Sequence, residues 1–280
     1  MYNESFIGCT ADYADASAVI FGAPFDGTTS FRPGTRFAPK AIRADSYGIE
    51  TYSPYLGKDL TDHSICDIGD LDFPFGNPQR VIDMIEEQTQ AILNDGKLPV
   101  MLGGEHLVTL GALRAVRKKY RDLHIIHLDA HTDLRTDYLG EELSHACVIR
   151  RAWELVGDGR IHQFGIRSGE RYEFEFAAEH CILTKYDLSG FAKTCEKLRG
   201  VPVYFTLDLD ILDPSIFPGT GTPEAGGVSF TQLMDAVREL SGLNIVGLDV
   251  NELSPTYDAS GVSTAVACKI LREILLAVVR

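Results

Sequence analysis

Short apolar runs recur along the chain, each closed by a polar or glycine-rich turn and followed by a stretch with helical spacing. Runs at 17–21, 64–69, 98–102, 123–128, 160–166, 181–183, 201–207 and 244–250 predict eight strands. Their nearly unbroken apolar character is that of parallel strands buried on both faces. Helices are expected between them, at 39–46, 78–94, 106–119, 144–155, 170–179, 188–198, 229–240 and 263–279. Within 78–94, Val81, Ile85, Ala91 and Ile92 carry the helical period, and Gly96 ends the helix. Ser229 and Gln232 have the spacing of a capping box. Strand and helix alternate from end to end, with no internal repeat, low-complexity tract or linker. The expected fold is α/β: one three-layer α/β/α domain over 1–280, with a mostly parallel central sheet of about eight strands.

Composition narrows the partners. Lys plus Arg number 26 against 40 Asp plus Glu, a formal net charge of −14, which disfavours nucleic acid and anionic membranes and favours a cationic small molecule or a metal ion. Hydrophobic residues make up 45%, enough for a sizeable core. The six cysteines are scattered through apolar segments without a CxxC pair, as expected of reduced thiols in a cytoplasmic protein. No apolar run approaches the length of a membrane span, and the N-terminus lacks a signal-peptide pattern.

The chemistry gathers at predicted strand ends, where open parallel sheets bind ligands. Asp129-Ala130-His131-Thr132-Asp133 follows one apolar run, Asp208-Leu209-Asp210 another, His106 a third and Glu252 a fourth. Alternate residues of an extended segment share a face. His106, Asp129, His131, Asp133, Asp208 and Asp210 would therefore form a cluster of four carboxylates and two imidazoles. That set suits hard or borderline divalent ions, two of which would have to share bridging carboxylates; Mn(II) is the expected metal. The absence of cysteine from the cluster argues against structural zinc. Asp67, Asp70 and Asp72 form a second acidic strand end without a nearby imidazole and are read as structural, and His127 as a core histidine.

These motifs resemble the ureohydrolases, the family of arginases, agmatinases and their relatives. The resemblance spans roughly residues 18–268. It rests on Gly103-Gly104-Glu105-His106, Asp129 to Asp133, Ser144-His145-Ala146, Asp208 to Pro214, Pro218 to Glu224 and Asp249 to Pro255. The Arg32-Pro33-Gly34 and Gly165-Ile166-Arg167-Ser168 segments look like the agmatinase branch. The resemblance implies two Mn(II) ions, one on His106, Asp129, Asp133 and Asp208 and the other on His131, Asp129, Asp208 and Asp210. It implies hydrolysis of a guanidino group to urea and an amine, foremost agmatine to putrescine, a polyamine precursor. Asp133 would orient the attacking water and relay its proton, His145 would shuttle protons and contact substrate, and Glu252 would bind the guanidinium, with Thr220 assisting. It also implies a homo-oligomer, a trimer or hexamer.

The loop at 134–143 carries Arg135, Asp137, Tyr138, Glu141 and Glu142 where arginases use Asn- and Ser-rich residues, and its net acidity favours agmatine over arginine. Arg135 runs against that and would suit guanidinobutyrate. From other classes, a two-metal phosphoesterase should show a Gly-rich phosphate cradle, and the Gly103-Gly104 turn is too short for one. A non-catalytic metal-binding protein is the remaining alternative; the complete set of ligands together with His145 and Glu252 stands against it.

Overall fold

A computed structural model describes residues 5–280. The eight expected strands all form and assemble into one sheet in which every pairing is parallel. In chain order the strands are β1 (Ala18–Ala23), β2 (Tyr52–Ser53), β3 (Lys58–Asp59), β4 (Ile65–Asp70), β5 (Leu98–Gly103), β6 (His124–Leu128), β7 (Ile161–Ile166), β8 (Ile182–Lys185), β9 (Pro202–Asp208) and β10 (Asn244–Asn251). Strands β2 and β3 form a separate antiparallel hairpin. At two residues each they are too short to show an alternation, and tertiary contacts hold them: Ser53 Oγ donates to Glu273, and Lys58 Nζ reaches the Leu276 carbonyl at 2.8 Å.

The helices are α1 (Ala38–Ser46), α2 (Pro78–Asn94), α3 (Thr109–Lys119), α4 (Val148–Val156), α5 (Arg171–His180), α6 (Phe191–Lys197), α7 (Phe230–Glu239) and α8 (Val262–Val278). One apolar layer joins α1, α6, α7 and α8 to the sheet, and a second joins α2 to α5 to the opposite face. Alternate residues of β1 divide between the layers, Ala18 and Ile20 into the first, Val19 and Phe21 into the second. Helix α8 is apolar nearly all round because it lies under α1 and α7. Its Leu271, Ile274 and Leu275 are fully buried, each worth about 1.5–3 kcal/mol of transfer free energy. The capping box at Ser229 and Gln232 forms as expected.

The sheet order is β4-β1-β5-β10-β9-β6-β7-β8. Strands β5, β10, β9 and β6 are therefore consecutive neighbours, and they are the four whose ends carry the candidate ligands and Glu252. Register adds a second layer of chemistry. His127 of β6 pairs with Thr206 of β9, and Thr206 with Asp249 of β10, so one polar row crosses three adjacent strands just before their ends.

Candidate metal centre

Each strand end delivers its acid or imidazole by a different local device. After β5 the chain turns at Gly104, where a Cβ would sit 2.0 Å from the Phe25 carbonyl oxygen, so only glycine fits. Gly104 N–H donates to Ala23 O and Glu105 N–H to Phe25 O, fastening this turn to the exit of β1. His106 then opens a short 3-10 helix that leads into α3. Glu105, fully buried, accepts hydrogen bonds from the Thr28 amide and hydroxyl and from the Thr29 hydroxyl. Burial pushes its pKa up to about 7, against the opposing pull of the His145 charge and the Thr28 hydrogen bond. After β9 the chain makes another 3-10 turn, with Asp210 N–H donating to Asp208 Oδ1 at 2.8 Å.

Asp133 and Glu252 hold φ of +51° and +66°. Left-handed backbone at a non-glycine residue costs about 1–3 kcal/mol and concentrates at functional sites. Among the described residues only Leu139 and Tyr186 share it outside glycine.

The six expected ligands come together. His106 Nδ1 lies 3.1 Å from Asp129 Oδ2, 3.0 Å from Asp133 Oδ2 and 3.5 Å from Asp208 Oδ2. His131 Nδ1 lies 3.0 Å from Asp210 Oδ2 and 3.5 Å from Asp129 Oδ1. Asp129 thus turns one oxygen to each imidazole. All six except His131 are buried.

The polar row beneath the cluster decides the tautomer of His106. Asp249 accepts from Tyr204 Oη, Thr206 Oγ1 and Asn251 Nδ2, each at 2.6 Å. The single hydroxyl proton of Thr206 is thereby committed, so at 2.9 Å from His106 Nε2 its oxygen can only accept. His106 therefore carries its proton on Nε2. In the neutral ring Nδ1 presents a lone pair to three carboxylate oxygens, and this buried atom has no hydrogen-bond partner. A lone pair among carboxylates is a cation site; the donor set fits a metal ion.

A similar argument places His127. Gln163 Nε2 donates to the Thr132 carbonyl at 2.9 Å and lies 3.1 Å from His127 Nδ1, which must then accept. The His127 proton sits on Nε2 and is donated to Asp129 Oδ2 at 2.8 Å. His127 is a buried histidine as expected, but it also orients a candidate ligand. Thr222 likewise reaches Asp210 Oδ2 at 3.3 Å.

Electrostatics describe a place that wants positive charge. Burial alone would lower the pKa of His106, but the carboxylates of Asp129 and Asp133 beside Nδ1 override it and the net shift is well upward. For His131 burial is overridden in the same sense by Asp210 and Asp129. Asp208 is pushed well above the usual carboxylate range by burial and by the charges of Asp210 and Asp129. Acids that resist ionising and imidazoles that resist deprotonation are both relieved by a bound cation.

A cleft of about 340 Å³ opens onto the cluster, lined by Ser30, His131, Asp133, His145, Asp208 and Thr222 among others. His145 places Nε2 3.0 Å from Ser30 Oγ and Nδ1 3.7 Å from Glu252 Oε1. Burial lowers the His145 pKa, Glu252 more than compensates, and it settles at about 9. Glu252 Oε1 accepts the His106 N–H at 2.8 Å. Thr220 is buried, its carbonyl held by Arg32 at 2.6 Å; Thr222, two residues on, is the threonine of this loop that faces the cleft. In the second acidic strand end, Asp67 and Asp70 have the structural role expected of them: Arg43 pairs with Asp67 at 2.8 Å and also with Asp70, away from the cluster.

The residues missed by sequence reasoning share a signal. His127, Thr206 and Asp249 each stand two positions before a polar strand-end residue, Asp129, Asp208 and Asn251 respectively. In a strand that spacing means the same face. Arg167 belongs to the Gly165-Ile166-Arg167-Ser168 segment, whose sequence does not show what it holds. Arg167 braces the chain after β9 by donating to the carbonyls of Asp210, Ile211 and Glu224 at 2.8–3.2 Å.

A sequence model of the arginase family matches residues 16–277. An agmatinase of Bacillus subtilis is 49% identical over 279 residues, covering 98% of this chain and 96% of the relative. A guanidinobutyrase of Pseudomonas aeruginosa is 37% identical over 272 residues, covering 92% and 85%. A solved Clostridium difficile structure, provisionally described as an agmatinase, superposes with a TM-score of 0.94 at 50% identity, covering 96% of this chain and 99% of that one.

Proposed function

The chain belongs to the arginase family, and on that premise we propose that it hydrolyses agmatine to putrescine and urea with the aid of two divalent cations. The observation that carries this reading is the convergence of the six proposed ligands from three strand ends, with the His106 lone pair facing three carboxylates and no other partner. His106, Asp129, Asp133 and Asp208 would hold one cation, and His131, Asp129, Asp208 and Asp210 the other. When bound, the pair supplies Lewis acidity that brings the pKa of a water from about 15.7 toward about 7. Mn(II) is proposed on the donor set, four carboxylates and two imidazoles without a thiolate.

The remaining steps belong to side chains. Glu252 binds the guanidinium as a carboxylate, with Oε1 steadied by the His106 amide. Water adds to the guanidinium carbon, and Asp133 accepts its proton. The carbon–nitrogen bond to the alkyl amine then breaks as the departing nitrogen takes that proton and leaves as a neutral amine; the remaining hydroxyl proton passes from the O-protonated urea to the amine, so urea and a protonated amine leave. His145 is positioned to exchange protons with solvent, since its two nitrogens face Glu252 inside and Ser30 in the cleft. Thr220 assists in binding the substrate.

Guanidinobutyrate is the second reading, supported by Arg135 in the cleft and by the guanidinobutyrase relative. Urea release measured over agmatine, guanidinobutyrate and arginine separates them: agmatine should be turned over most efficiently, and arginine turned over better than agmatine would overturn the assignment. The whole chain, 1–280, is proposed to act as one domain, in the cytoplasm, within a trimer or hexamer. No helix among the described residues is long and apolar enough to cross a membrane.

A further inference from the structure

The cleft holds one guanidinium group of its own. Arg135 stands two residues beyond Asp133 and lines the same cleft as His131 and Asp208. A free arginine there would receive a substrate carboxylate. It is not free. Its Nη2 lies 3.3 Å from Glu170 Oε1, its Nε lies 3.8 Å from Glu173 Oε2, and its guanidinium carbon lies 5.2 Å from the centre of the Tyr138 ring.

The two acids are not equivalent. Glu173 is buried and fully used: Oε1 accepts from Thr132 Oγ1 at 2.6 Å and Leu134 N at 3.0 Å, and Oε2 from Glu170 N at 2.7 Å. It clasps the loop after β6 to the start of α5 and thereby fixes where Glu170 stands. The Glu170 side chain is 56% exposed, and among the described residues its only side-chain partner is Arg135. It lies near the metal cluster in the chain as well: Ser168, two residues earlier, bridges to His131.

Resting on the guanidino-hydrolase reading, we infer that the Arg135–Glu170 pair sets the charge that the cleft accepts at the far end of the substrate. Glu170 withholds Arg135 from a substrate carboxylate and offers its own exposed carboxylate to a substrate ammonium. Both effects favour an amine tail over an acid tail, and both act where the substrate is held and not where its bond breaks.

The test is Glu170→Gln, assayed by urea release with agmatine and with 4-guanidinobutyrate. For an exposed charge pair the expected change is about fivefold in each direction: agmatine kcat/KM falls and guanidinobutyrate kcat/KM rises, both through KM with kcat held. Adding Arg135→Gln should abolish the gain for guanidinobutyrate. A merely structural lesion would lower both substrates together. An unchanged ratio, a parallel fall, or a gain that survives Arg135→Gln overturns the inference. Failure of the unaltered enzyme to release urea from either substrate would instead overturn the reading on which it rests.

Discussion

Glu252→Gln separates substrate recognition from metal binding. The exchange keeps size and shape and removes one charge from a side chain that is 2% exposed. The amide oxygen of glutamine can still accept the His106 N–H, so the turn after β5 should keep its place. What disappears is the anionic half of a charge-assisted contact with the guanidinium. Hydrogen bonds to charged groups are worth about 1.5–3 kcal/mol, and this site is shielded from solvent, so about 3 kcal/mol is a reasonable loss. That corresponds to roughly a hundredfold fall in kcat/KM for agmatine. Bound metal, counted by elemental analysis, should be unchanged, because Glu252 is outside the proposed ligand set. In the metal-free variant His145 should titrate below about 9, since Glu252 is what raises it against burial. A variant that retains turnover with the metal in place would refute the role given to Glu252, and loss of metal would show that its carboxylate supports the cations instead.

Two further outcomes follow from the polar row and from the buried charges. Thr206→Val removes the acceptor for His106 Nε2–H, so metal affinity measured by chelator competition should fall about 10–100-fold, with Thr206→Ser restoring it. The metal-free protein should lose stability as pH rises. His145, with a folded pKa of about 9, contributes stability that is complete below its ordinary value of 6.5 and is lost as pH rises through 9. Asp208, held protonated above the usual range, acts in the same sense, because the unfolded chain has already released that proton. Bound cations take the place of the protons on Asp208, His106 and His131, though not of the one on His145, so the gap in Tm between loaded and metal-free protein should widen as pH rises above 6.5. A constant gap would contradict this.

Much of the fold was legible because the strands are buried on both faces and so read as continuous apolar runs. All eight sheet strands lie within a few residues of their expected places. The strand order was not legible. Nothing local to 201–207 or 244–250 says that these strands insert between β5 and β6; crossover connections and packing decide that. The hairpin of β2 and β3 escaped for the opposite reason, since its four residues carry no period and are held by Glu273 and Leu276 of α8.

The site divides in the same way. Ligands at strand ends were legible because acids and imidazoles at the close of an apolar run are costly unless they bind something. The groups that orient them were harder to see. Thr206 is an ordinary strand residue by type, and only its register beside Asp249 and its place below His106 give it a task. Arg135 was legible as a charge but not as a committed one, because Glu170 and Glu173 approach it from another element.

The most direct test of the account is a metal titration of the chelator-treated protein with urea release from agmatine followed in parallel. Two Mn(II) should bind per chain, with urea release appearing only as they bind. Full urea release by the metal-free chain would contradict it.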